Sequence, residues 1–274
     1  MVLLIAPVLA SALLWTSPGG RGVAAEIGDQ AGGAPLGLAP ERDWSLRLTP
    51  YLWIPAQSGS VTVAGTRGRV DLDTGDTFDA ITDSLNFGLA LHGELRRDEF
   101  VLFADVMYLS LETRDVPIGG DTGTVRQDTG VFHIGAAYRV VDFARGEREG
   151  GGGVGLSIEP TVALRAHYLL LDIETASSGD ADGDRFWVDA VVGVRAAVDV
   201  SERVTFHQRG DIGAGDSDLT WSALAGVEFM LNDRLALQLG YRALDTDYDD
   251  GHGAERFAYD LLLYGPYAAL TIDF

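Results

Sequence analysis

From Tyr264 to Phe274 the chain alternates, residue by residue, between apolar side chains and others. Tyr264, Pro266, Ala268, Leu270, Ile272 and Phe274 share one parity; Gly265, Tyr267, Ala269, Thr271 and Asp273 share the other. A period of two belongs to a β-strand, whose successive side chains point to opposite faces. Soluble domains usually finish on frayed polar tails. A chain that stops on an aromatic residue inside a strand fits a sheet closed on itself, in which the last strand must meet the first. Closure makes a demand on everything upstream: the same alternation has to recur with one apolar face throughout.

It does recur. Asp43 to Ile54 places Trp44, Leu46, Leu48, Pro50, Leu52 and Ile54 on one face, against Ser45, Arg47, Thr49, Tyr51 and Trp53. Further alternating segments are read from Ser84 to Arg96, from Phe100, and across 132–140, 156–170, 186–198, 204–212, 219–229 and 235–243. The closing strand starts near Phe257 and is expected to pair antiparallel with 43–54, Phe274 facing lipid and Asp273 facing inward. Crossing a bilayer at a tilt takes about 9–11 residues per strand, whereas soluble strands average about five or six. Most of the segments reach the longer figure. Tight connections at Arg97-Asp98-Glu99, Ser201-Glu202 and Asn232-Asp233 alternate with long ones at 55–83, 113–128, 172–184 and 245–256. Short periplasmic turns opposite long outer loops are the asymmetry of a membrane barrel. Segment 142–153 is long on the short-turn side and 213–218 short on the other. Within 55–83, residues 58–73 are the place for an extra hairpin. Aromatics such as Trp44, Phe100, Tyr108, Tyr138, Tyr168, Phe186, Trp221, Phe229 and Tyr241 sit near the ends of the apolar faces, as interfacial girdles do. A soluble sandwich would need polar outer faces, which these strands lack. The expected fold is an all-β, antiparallel up-and-down transmembrane barrel of about ten strands, within a range of eight to twelve.

Charge and composition narrow the function. Net charge is −21, with 41 acidic and 20 basic residues, all the basic ones arginine, which excludes a nucleic-acid partner needing cationic surface. Cysteine is absent, so disulfides, thiolate metal sites and a lipoprotein anchor are excluded. Residues 1–25 read as a cleavable signal peptide, an apolar run followed by Val23-Ala24-Ala25. Residues 26–42 read as a flexible lead-in and 43–274 as the barrel. No later apolar run is long enough to span a membrane as a helix.

Pro50-Tyr51-Leu52-Trp53-Ile54-Pro55, the Asp-rich stretch from Asp71-Leu72-Asp73 to Leu85-Asn86-Phe87, and Leu102 to Leu109 carry a resemblance. The chain resembles the small eight- to ten-stranded outer-membrane β-barrel proteins of Gram-negative bacteria, in the branch that opens with Pro-Tyr-Leu-Trp-x-Pro. The resemblance implies an outer-membrane location with both termini periplasmic, insertion by the barrel-assembly machinery with Phe274 as its signal, and contact with lipid and lipopolysaccharide. It implies a scaffold rather than a chemistry.

On the inward parity lie Arg47, His92, Glu94, Asp105, His133, Arg139, Glu159, Arg165, His167, Asp189, Arg195, His207, Arg209, Asp211, Glu228 and Arg242, with Arg96 beside them. The expectation is a lumen filled by a mutually neutralising Arg/acid/His network, because unpaired charge in a confined space is costly. The same residues would line a narrow pore or ligand site. No metal site or other cofactor is expected, since the histidines fall on four different strands. Acidic clusters at Asp71, Asp73 and Asp76, at Asp180, Asp182 and Asp184, and at Asp245, Asp247, Asp249 and Asp250 read as solvated outer loops that hold divalent cations loosely at most. A structural, surface-interaction or narrow-pore role is expected, without catalysis. The alternatives are an omptin-like barrel hydrolase using the acids beside His252, and a periplasmic β-sandwich binding protein.

Overall fold

The computed structural model describes residues 44–63, 65–118, 121–143, 154–175 and 181–274. The expected signal peptide and lead-in, and Asp180, lie outside the described residues. Among the described residues the chain forms β1 (Ser45–Trp53), β2 (Ala56–Val63), β3 (Thr66–Leu72), helix α1 (Thr74–Ser84), β4 (Leu85–Arg97), β5 (Phe100–Ile118), β6 (Asp121–Tyr138), β7 (Val141–Phe143), β8 (Gly155–Thr175), β9 (Ala181–Ser201), β10 (Val204–Gly215), β11 (Leu219–Asn232), β12 (Leu235–Asp250) and β13 (Phe257–Asp273).

In the series β4, β5, β6, β8, β9, β10, β11, β12, β13 successive strands pair antiparallel, and β1 pairs with both β4 and β13. The sheet therefore closes. β1 and β2 act as one wall strand interrupted at Ile54-Pro55, so the wall has ten strands. Closure runs through Arg47 opposite Asp273 and Trp53 opposite Tyr267. The Phe274 N–H donates to the Leu46 carbonyl at 2.9 Å, which holds the chain end in the seam. The N-terminal half of β13 pairs with β2 instead, from Tyr264 opposite Ala56 to Ala258 opposite Thr62. The strand that residues 257–274 meet is thus longer than 43–54, by the segment that carries the extra hairpin of β2 and β3. Gly59 makes that continuation possible. At φ +147° it passes so close to β13 that a Cβ would fall 2.1 Å from the Asp260 carbonyl oxygen.

The exterior is apolar. Ile134, Val162, Leu164, Val192 and Ile212 are all more than half exposed, far more contiguous apolar surface than water tolerates on a monomer. On β11, Phe229 and Trp221 stand eight residues apart on the outer face, about 20 Å along the membrane normal at ~3.4 Å per residue and a ~40° tilt. That height matches the apolar band of an outer-membrane barrel, roughly 25 Å. β5, β6, β8 and β9 hold 18 to 21 residues each, so they rise well past the band. Several segments expected as outer loops are accordingly strand: Asp245, Asp247, Asp249 and Asp250 belong to β12, Asp182 and Asp184 to β9.

The wall is not continuous on one side. β4 pairs with β1 only from Arg96 opposite Ser45 to Leu91 opposite Pro50. Above that point, among the described residues, the backbone of Tyr51 to Trp53 pairs only with β13, and that of Leu85 to Ala90 only with β5. Pro50 and Pro55 flank the separation; neither has an N–H for a ladder. Helix α1 lies over the gap, touching β2, β3, β4 and β5. Its N-terminus is fixed by a capping box: Asp73 accepts from the Asp76 N–H at 2.9 Å, and the Asp76 carboxylate accepts from the Asp73 N–H at 3.1 Å.

Candidate functional site

Inward-pointing side chains of successive strands stack the lumen into layers. The layer at the end of the barrel that holds the β1–β13 seam is a cavity of about 550 Å³ walled by charge. At the closure seam Arg47 donates through Nε and Nη2 to the two oxygens of Asp273, at 2.8 and 3.1 Å, and lies 3.6 Å from Glu228. Gln238 Nε2 donates to Glu228 at 2.6 Å and to Thr271 at 2.8 Å. Across the cavity Arg195 donates to both Glu94 and Glu159, and Arg96 to the same two carboxylates. Arg139 spans Glu159 at 3.4 Å and Asp142 at 2.6 Å. His92 sits between Asp105 (Nδ1, 3.2 Å) and Glu94 (Nε2, 3.1 Å).

The next layer closes the cavity. Tyr51 donates its hydroxyl to Asp105 at 2.9 Å and accepts from Arg242 at 3.0 Å. The Arg242 guanidinium lies over the Trp53 and Tyr51 rings, 4.8 and 5.6 Å from their centroids. Arg209 and Arg242 stand 3.8 and 3.6 Å from Asp105. A separate buried pair joins Arg165 to Asp211, and Ser222 donates to Asp211 at 2.6 Å while accepting from Arg165 at 3.2 Å. His133 packs edge-on to Phe103, 5.4 Å between centroids, and His207 lies against Gly226. Charge balanced by direct hydrogen bonds is the arrangement that makes ions tolerable in a confined interior.

Beyond this layer the lumen changes character. Val61, Val70, Leu169, Trp187, Tyr248, Phe257, Tyr259 and Leu261 form one buried apolar cluster, and Tyr51, Trp53, Val131, Leu244, Tyr267 and Ala269 another. Trp187 is sandwiched between the His167 ring at 4.9 Å and the Tyr248 ring at 4.5 Å. A second cavity, about 250 Å³, lies among these side chains.

The inward-parity residues are therefore on the inner wall, but not in one network. Arg47, His92, Glu94, Arg139, Glu159, Arg195, Arg209, Arg242, Asp105 and Glu228 come together at the end of the barrel near the Arg47–Asp273 seam. Arg165 and Asp211 pair apart from them, and His167 belongs to the aromatic cluster. Asp189 serves a turn: it accepts from the Ser217 N–H and hydroxyl, each at 2.8 Å, which ties down the short loop after β10. Sequence reasoning expected a uniformly polar lumen and so passed over Trp187, Leu244, Tyr259 and Leu261. The available signal was runs apolar on both parities, Leu169-Leu170-Leu171 and Leu261-Leu262-Leu263. On the outside, Arg256 clamps Asp249 beyond the apolar band, with Nε donating at 3.0 Å. That clamp holds the Asp249 carboxyl below its usual range.

No protein-family model matches the chain, and no curated protein matches it. Solved structures similar in fold include three outer-membrane proteins. The outer-membrane protease OmpT of Escherichia coli is 7% identical over 87% of this chain and 99% of its own, with a TM-score of 0.42. Ail, the attachment invasion locus protein of Yersinia pestis, solved with the heparin analogue sucrose octasulfate, is 8% identical over 84% of this chain and 98% of its own, at 0.38. The toluene transporter TodX of Pseudomonas putida is 10% identical over 86% and 90%, at 0.28. Ten strands close on themselves through β1, β4 and β13, the exterior is hydrocarbon-like at bilayer height, and charge is kept inside: the chain is an outer-membrane β-barrel.

Proposed function

We propose that this protein is a closed, non-conducting outer-membrane barrel with a structural and surface-interacting role and no catalytic function of its own. The observation that carries this reading is the apolar filling of the outer lumen. Trp187, Tyr248, Tyr259 and Leu261 are buried to within 8% of full occlusion and stand between the charged cavity and the outside. An ion leaving that cavity outward would have to shed its water among side chains that offer no compensating charge. Under this reading the ion-pair network is scaffolding for the barrel wall. Lipid and lipopolysaccharide contact the exterior, and the barrel-assembly machinery engages the strand ending at Phe274. Divalent cations between the outer carboxylates and lipopolysaccharide phosphates are the loosest of these partners. Planar-bilayer recording of the refolded protein tests the proposal. The expected trace shows no stable unitary steps in 1 M KCl; reproducible ohmic openings would make the barrel a pore.

A further inference from the structure

The gap between β1 and β4 coincides with the 250 Å³ cavity, and the two explain each other. The cavity is lined from inside by Trp53, Met107, Val131, Trp187 and Leu244. It is lined as well by Leu52 and Leu89, which face outward from the wall and are 57% and 40% exposed. A cavity touching both faces of a one-layer sheet passes through it. Leu52 pairs with Ala268, between Leu270 and Pro266 on the outward face of β13, so the passage opens within the apolar band. Helix α1 roofs it with Thr77 and Ile81, one turn apart on the same helix face.

The lining is apolar but not inert. Trp53 Nε1, Trp187 Nε1, Thr77 Oγ1, Thr129 Oγ1 and His167 Nε2 are buried without a hydrogen-bond partner among the described residues. All five residues line this cavity and are at least 92% buried. An orphaned buried donor or acceptor costs about 1–3 kcal/mol, and five around one space is far more than a filled core carries. None of the described lining residues is charged, so an ionised ligand would find no counter-charge among them. The volume exceeds that of an apolar cavity that takes up benzene, about 150 Å³.

We infer that this cavity is a binding site for a small, neutral, hydrocarbon-like molecule bearing one hydroxyl or carbonyl oxygen, admitted sideways from the membrane through the β1–β4 gap. The hydrocarbon part replaces lipid contact with Met107, Val131 and Leu244. The oxygen meets the indole N–H groups and the Thr129 hydroxyl.

The test uses the full chain in lipid nanodiscs with Trp15, Trp44 and Trp221 replaced by phenylalanine, which leaves emission from Trp53 and Trp187, since the chain has five tryptophans. The probes are 4-bromophenol and bromobenzene, which differ by the hydroxyl while both carry the quenching bromine. Saturable quenching is expected, with 4-bromophenol tighter than bromobenzene by about 5- to 10-fold, the worth of one hydrogen bond. Thr129→Val, nearly unchanged in shape, should remove most of that difference and leave bromobenzene unaffected. Ala90→Phe, which fills the lining, should abolish both. Brominated acyl chains in the nanodisc lipid should quench the two inward tryptophans in the unfilled protein and not in Ala90→Phe. Non-saturable quenching equal in all variants would overturn the site. Equal affinity for the two probes would overturn the polar handle, and inward tryptophans deaf to brominated lipid would overturn the sideways route. None of these outcomes depends on whether the barrel conducts ions.

Discussion

Asp105 shows how much rests on one side chain in the lumen. It is 2% exposed, accepts from Tyr51 and His92, and faces the guanidinium groups of Arg209 and Arg242. Asp105→Asn keeps the shape but leaves two cations without their balancing charge. Breaking a buried pair this way costs about 3–5 kcal/mol, so its unfolding midpoint in urea, measured in micelles, should fall well below that of wild type. A midpoint unchanged within error would mean that water, not Asp105, balances those arginines. Phe274 tests a different property. It is 69% exposed, so little packing is lost on truncation and Phe274→Ala should refold in detergent as wild type does. Its yield in the outer membrane of cells should drop several-fold if the assembly machinery reads the last residue. Equal yields would remove that role.

At the level of elements, the β12–β13 tip carries a pH-dependent pair. Arg256 donates to Asp249 on the outer side of the turn, and that hydrogen bond lowers the Asp249 carboxyl from its usual value. A carboxyl with a folded pKa below its unfolded value contributes stability above the unfolded value, about 3.9, and loses it as pH falls through the folded one. At pH 7 the tip is therefore clamped. Arg256→Gln should accelerate proteolytic nicking between residues 249 and 256 at pH 7. Wild type brought below pH 4 should approach the variant when probed with an acid protease. No difference at either pH would show that the 3-10 turn Gly253–Glu255, not the pair, sets the tip's order. Helix α1 illustrates the opposite case, an element that alternation cannot announce. Thr74 to Ser84 has only Phe78, Ala80 and Ile81 as apolar residues, too few for a convincing amphipathic stripe. Its signal is the Asp73 and Asp76 capping box, at residues expected to lie in a solvated loop.

The whole molecule is governed by closure. Every wall strand finds both neighbours, apart from the span where β1 and β4 separate, so unfolding requires the complete ladder to open. Unboiled protein should accordingly migrate faster on a denaturing gel than boiled protein, and it should fractionate with the outer membrane. A soluble periplasmic product with heat-independent migration would contradict the fold. The two halves of the lumen also belong to this scale. A charged chamber at one end and an aromatic filling at the other divide a barrel whose sequence alternation looks uniform along most of its length.

The sequence by itself determined the strands, their two faces and the closing partner of β13. A pleated strand turns alternate side chains to opposite sides, so the periodicity reports faces directly, as Arg47 opposite Asp273 confirms. It also placed the arginines and carboxylates on the inner wall. Which of them meet was beyond it, because register and shear bring together residues as distant as Glu94 and Arg195, or Tyr51 and Arg242. The opening between β1 and β4 was hidden for the same reason. Leu52 and Leu89 read as ordinary lipid-facing residues, and only the missing ladder between their strands turns them into the rim of a passage. Alternation tells which side of a sheet a residue faces; whether the sheet is intact at that point depends on pairing between strands, and pairing is a property of the tertiary structure.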